Sequence, residues 1–192
     1  MAESWVYQAD HVVHVVGALG ISAAYTLEAV GLVGLRLSKT AEEARLWFRT
    51  RHWVLFLGPP SLAVVLASGL YLTVVAWGPA GWILVALGGL VATAVIGGVL
   101  TGIPMARLGP LIEKAVGPLS DEAWRAVRTP LMTISMATRV TITVAIVALM
   151  VLKPTLLASL LAIGLALVSG VPLGLAFGSG QNRPGTAKPL KE

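Results

Sequence analysis

Cysteine is absent from the 192-residue chain, which removes disulfides, thiolate metal sites, iron–sulfur clusters and cysteine nucleophiles together. Charge is scarce as well. Asp, Glu, Lys and Arg make up 12% of the residues, about half of the roughly 25% found in soluble domains. With hydrophobic residues at 56% and a mean hydropathy of +0.84, too few polar side chains exist to coat a globule in water. The same composition excludes a disordered chain, a coiled coil and a small disulfide-stapled module. Also missing are a Gly-rich phosphate loop, a zinc-binding helix motif and a serine nucleophile elbow, so no residue is assigned a catalytic role.

What is present is long apolar runs. A hydrocarbon core of about 30 Å needs about 20 apolar residues per helix, and five stretches meet that length: His11 to Leu37, His52 to Trp77, Gly81 to Met105, Pro130 to Leu152 and Pro154 to Phe177. No charged residue lies between Arg51 and Arg107, a distance that only a hairpin of two spans can use. Trp77-Gly-Pro-Ala-Gly-Trp82 supplies its turn, with a Trp at headgroup level on either side. The expected fold is all-α, a polytopic membrane helical bundle of five transmembrane helices. It forms one domain over residues 1–178, followed by a polar, turn-rich tail over 179–192 that is expected to be disordered.

The pI near 10 and the net charge of +5 would suit nucleic acid, but placement assigns them to the bilayer. Twelve Lys and Arg fall in the segments Arg36–Arg51, Arg107–Arg128 and the tail, against Lys153 alone on the other side. Basic residues are retained on the cytoplasmic face, so the N-terminus is expected outside and the C-terminus inside. Two connections on the basic side read as short interfacial helices that anchor to lipid. Thr40-Ala-Glu-Glu43 is a capping box, and Ser120-Asp-Glu122 places acids at the positive end of a helix dipole. Helices in a bilayer associate through close-packed small residues. The row Ala158, Ala162, Ala166, Gly170, Gly174 and Gly178 in the fifth span, and the shorter Ala94, Gly98 and Gly102 in the third, therefore read as packing faces. The fifth-span row serves a contact within the bundle, with a membrane-protein partner, or with a second copy. Pro59, Pro60 and Pro172 are expected to kink their helices.

Ionisable groups inside the bilayer cost about 2.5 to 3.5 kcal/mol each at mid-depth, which makes them the default place to look for function. Glu28 lies about eight residues before Arg36 on a descending span, and Arg139 about nine after Pro130 on a rising one. Their matched depth predicts an intramembrane ion pair, read as a clamp or as part of a proton-coupled path. Nearer the other face, His11 and His14 share one side of the first span and Met150 is at matched depth on the fourth. Imidazole with thioether suits cuprous copper and is also an axial pair for haem iron, so His14, Met150 and His11 are the candidate metal or haem ligands. The competing reading of these residues is interfacial placement and packing.

His14-Val-Val-Gly-Ala18, Ser68-Gly-Leu-Tyr-Leu72, Gly81-Trp82 and Leu149-Met-Val-Leu-Lys-Pro154 resemble a bacterial family of predicted integral membrane proteins of unknown function. That family is similar in turn to the CopD-type copper-resistance membrane proteins and, more distantly, to the HemJ-type proteins. The resemblance implies a helical bundle in a bacterial cytoplasmic (inner) membrane that handles copper or haem b. His14 and the Lys153-Pro154 ending are the positions that carry over. The readings that stand are metal or haem binding for metal handling or electron transfer, a non-catalytic accessory subunit of a larger membrane complex, and a small proton-coupled transporter using Glu28 and Arg139.

Overall fold

The computed structural model describes residues 5–179, so Glu3 and the tail beyond Ser179 lie outside the described residues. Five helices are long and apolar enough to cross a membrane, and the chain is an all-α, multi-pass membrane protein. The first is α1, Trp5–Leu37, followed by the short α2, Ala41–Phe48. Next comes α3, Thr50–Leu72, which ends in a π-helical turn, Thr73–Trp77. The third span is one continuous helix built from α4, Gly81–Ile96, a π-helical segment Gly97–Gly102, and α5, Ile103–Glu113. Short α6, Asp121–Val127, leads to α7, Pro130–Leu152, and α8, Leu156–Ser179, closes the chain.

Three boundaries differ from the sequence reading. The first helix starts at Trp5 rather than His11. The third runs on to Glu113: Pro104 follows directly on the π-helical segment without ending the helix, and Arg107 leaves the apolar zone without ending it. The fifth starts at Leu156 because Lys153 turns left-handed (φ 47°) and donates its N–H to Leu149 O at 2.8 Å, closing α7 before Pro154. The helices run through Pro59, Pro60 and Pro172 without a break in helical assignment.

The helices form two groups. α1 packs along α3, while α7 packs on both α8 and α4. α3 and α4 follow one another in the chain yet hardly touch, so a seam runs between the α1–α3 pair and the α4–α7–α8 group. Glycine sets the approach within each group. On α1, a Cβ at Gly20 would overlap the Ser61 hydroxyl and one at Gly34 would overlap the Trp47 ring. On α8, a Cβ at Gly170 would overlap Thr138, and one at Gly174 would overlap the Ile134 backbone. Ala166, Gly170 and Gly174 are buried, Ala162 and Gly178 are half-buried, and Ala158 is exposed. The buried part of the fifth-span row is thus used inside the bundle, against α7.

The basic end is closed by a well-packed cap. Ala41, Ala44, Ala123 and Ile112 are fully buried and pack with Leu35, Leu108, Val127 and Met132. The short α2 and α6 thus bury one face in this core, through Ala41, Ala44, Ala123 and Val127, and keep Glu42, Leu46, Glu122 and Arg125 exposed on the other. Thr40 Oγ accepts from Glu43 N at 3.3 Å, while the Glu43 carboxylate reaches one residue beyond the usual box and accepts from Lys39 N at 2.8 Å. The two connections are joined by Ala41 N donating to Gly117 O at 2.8 Å and Leu119 N to Lys39 O at 3.3 Å. Arg36, 2% exposed, donates to the carbonyls of Val127 (3.3 Å) and Thr129 (3.0 Å) at the end of α6. Arg45 donates to Ala115 O at 3.0 Å. Two of the basic residues assigned to lipid therefore satisfy buried or part-buried backbone acceptors instead.

Replacing Gly174 by Val forces α7 and α8 apart, and overpacking of this kind costs about 1 to 3 kcal/mol or more. Gly164, with open space around its Cβ position, accepts Ala without loss. Thermal melts of the two variants in one detergent check the difference; equal melting temperatures would show that the row is not the contact.

Candidate functional site

The seam between the two helix groups carries the buried polar chemistry. Glu28 on α1 and Arg139 on α7 meet there as a bidentate ion pair, with side chains only 9% and 7% exposed. Arg139 Nη1 donates to Glu28 Oε2 at 2.9 Å and Nη2 donates to Glu28 Oε1. The rest of the guanidinium is also engaged. Nη2 donates to Thr101 Oγ1 at 3.4 Å and Nε to Ser135 O at 3.3 Å, and the Tyr25 ring lies 5.1 Å from Cζ. Thr101 in turn donates to Ser135 Oγ at 2.8 Å, and Ser135 to Ile96 O at 3.3 Å. Every hydroxyl in this chain passes its proton away from the guanidinium, so each oxygen offers a lone pair back toward the cation.

The π-helical segment Gly97–Gly102 makes this possible. An extra residue per turn widens the ladder, with Ile103 N donating to Gly98 O five residues back, and brings Thr101 onto the inner face. Gly97 leaves room for the Arg139 side chain, since a Cβ there would lie 3.2 Å from both Cδ and Nη1. Gly98 behaves differently: nothing lies within 4 Å of its Cβ position. The third-span row expected to pack through Ala94, Gly98 and Gly102 therefore borders open space at Gly98, and Ala94 and Gly98 are exposed.

Two cavities occupy the seam. The larger, about 370 Å³, extends from the ion pair toward the basic end and is bordered by α1, α2, α3, the π segment and Arg139. The smaller, about 210 Å³, is at the opposite end. His11 and His14 of α1 and Met150 of α7 all line it, together with Trp77, Trp82 and Lys153. Lys153 Nζ lies 3.8 Å over the Trp77 ring, Trp77 meets Trp82 edge to face, and Tyr7 stacks on His11. His14 Nδ1 is 2.9 Å from Ser68 Oγ on α3. The Ser68 hydroxyl also lies 2.6 Å from Val64 O, to which it donates; in the tautomer where Nδ1–H donates to Ser68 Oγ, the imidazole lone pair is on Nε2.

The polar partners Thr101, Ser135 and Ser68 escaped the sequence reading. Each is a small hydroxyl in an apolar span, a type that commonly bonds its own helix backbone, and only the facing helix reveals its second role. No group of three or more His, Cys, Asp or Glu side chains able to hold a metal ion occurs among the described residues, which leaves His with Met as the ligand set to consider. Comparison of the chain with family models, with curated proteins and with solved structures finds no match.

Arg139→Ala leaves the Glu28 carboxylate buried without its cation, a loss of about 3 to 5 kcal/mol. Adding Glu28→Gln to that variant recovers part of it, because the amide needs no counter-charge. Unfolding free energies of wild type, both single variants and the double variant provide the cycle. A double variant no more stable than Arg139→Ala would remove the pair from the account.

Proposed function

We propose that the smaller cavity binds a soft metal centre, haem iron or cuprous copper, through His14 Nε2 with the Met150 thioether, and that the protein serves metal handling or electron transfer. The observation that carries this reading is that His14, held at Nδ1 by Ser68, lines one cavity with Met150 and His11. Imidazole and thioether donors favour cuprous copper over hard cations, and they also serve as axial ligands of haem iron. The donor chemistry suits either metal, and Leu72, Trp77, Trp82 and Ile83 line the same cavity. When bound, the metal would supply a one-electron couple. The protein would orient the ligands, with Ser68 acting through His14 as a positioning residue.

The competing readings have less to draw on. The Glu28–Arg139 pair is engaged at both carboxylate oxygens and at Nε, Nη1 and Nη2, which favours a clamp between helix groups over a carrier. Much of the small-residue face of α8 is consumed by α7. The distribution of Lys and Arg supports a bacterial cytoplasmic membrane with the basic end inside.

Protein purified anaerobically in mild detergent is expected to show a haem absorption band or to retain copper by elemental analysis, and the two readouts separate the two metals. His14→Ala abolishes uptake. Ser68→Ala keeps the ligand but releases its orientation, and weakens binding by about 10- to 100-fold. Wild-type protein that is colourless and copper-free, and takes up neither haem nor cuprous ion on titration, would end this reading.

A further inference from the structure

The larger cavity has features that a packing defect lacks. It lies against the Glu28–Arg139 pair at one end and reaches Trp47 and Arg51 at the basic end, so it spans the depth from mid-bilayer to the interface. Its walls are overwhelmingly apolar. Its glycines fall into two kinds. Gly31 and Gly97 are required by close neighbours, Thr50 and Arg139, but Gly58 meets only Ala24 Cβ at 3.6 Å and Gly98 meets nothing within 4 Å. A Cβ at either of the last two positions would meet no close contact, and an empty cavity costs stability in proportion to its volume. The space is therefore open where the fold does not demand it.

Charge supplies the second observation. Glu28 and Arg139 neutralise one another. Arg51 at the mouth rests on the Phe48 ring, 5.9 Å from its centroid, and has no carboxylate partner among the described residues. The cavity as a whole carries one uncompensated positive charge, at interfacial depth. The weak contact between α3 and α4 leaves a lateral way in from the hydrocarbon. We propose that this cavity is a binding site for a single aliphatic chain with an anionic head. The head, a carboxylate or a phosphate, sits on Arg51, and the chain runs along the Gly58 and Gly98 walls toward the ion pair. A neutral chain would fill the same apolar space and leave Arg51 uncompensated, whereas an anionic head at the mouth gains a charge-assisted contact at low local dielectric. The site is independent of the metal cavity, and neither reading needs the other.

The test uses the full chain in phosphatidylcholine nanodiscs with a photoreactive long-chain carboxylate as probe, the adducts being mapped by peptide mass spectrometry. Labelling is expected on α1, α3 and the Gly97–Gly102 segment. Oleate or monooleoyl lysophosphatidate should compete about tenfold better than oleyl alcohol, and whichever of the two anions competes more strongly identifies carboxylate or phosphate as the natural head. Gly98→Leu fills the chain site and should remove these adducts. Arg51→Gln should abolish the preference for an anion while leaving labelling by a neutral photoreactive chain unchanged. Because Arg51 is at the rim, this second variant tests the site even where Gly98→Leu perturbs folding. Adducts spread evenly over the lipid-facing leucines of α8, or competition by oleyl alcohol equal to that by oleate, would overturn the proposal.

Discussion

The arrangement of this bundle depends on one ion pair. α1 and α3 form one close-packed unit and α4, α7 and α8 another, each drawn together by glycines that admit a neighbouring backbone or side chain. Between the two units, apolar packing is thin, and lipid offers apolar side chains as good an environment as a neighbouring helix does. The bidentate contact of Glu28 with Arg139 spans this gap at mid-depth. Neither charge can leave without stranding the other in hydrocarbon, so the contact sets how the two units sit relative to each other. The turn between Trp77 and Trp82 and the cap of short helices hold the two ends of the seam.

Such a clamp needs support, and the π-helical segment provides it. Thr101 and Ser135 supply the guanidinium with acceptors that Glu28 does not, and Gly97 clears its path. The same segment also borders the larger cavity beside the pair, through Gly97, Gly98, Thr101 and Gly102. At the other end of the seam the polar resource is spent differently. Ser68 contacts Nδ1 of the half-buried His14, which lines a cavity together with Met150 and His11.

Much of this was legible before any coordinates. The five spans follow from run length, and the meeting of Glu28 with Arg139 follows from counting residues to each boundary, because depth in a bilayer is nearly linear along a helix. The fifth-span row carried its packing meaning in its four-residue spacing. What stayed hidden had weaker local signals. The α2 and α6 helices bury alanines, whose small side chains give little apolar pattern, so they look like surface pieces until Leu108 and Ile112 of an extended α5 are brought against them. Arg36 and Arg45 look like lipid anchors because their acceptors, the carbonyls of Val127, Thr129 and Ala115, carry no residue-type signature.

Composition and spacing alone determined that this chain is a membrane bundle, how many times it crosses, and which two charges share a depth. Those properties are one-dimensional: they depend on length, hydropathy and distance from a boundary. Tertiary structure decided how the spans divide into two groups, where the seam falls, and which small residues pack and which leave space. These depend on rotation about each helix axis, and a single π turn between Gly97 and Gly102 changes that rotation for everything beyond it. No count along the sequence registers such a turn, because Thr101 meets Arg139, 38 residues further along the chain, only through the fold.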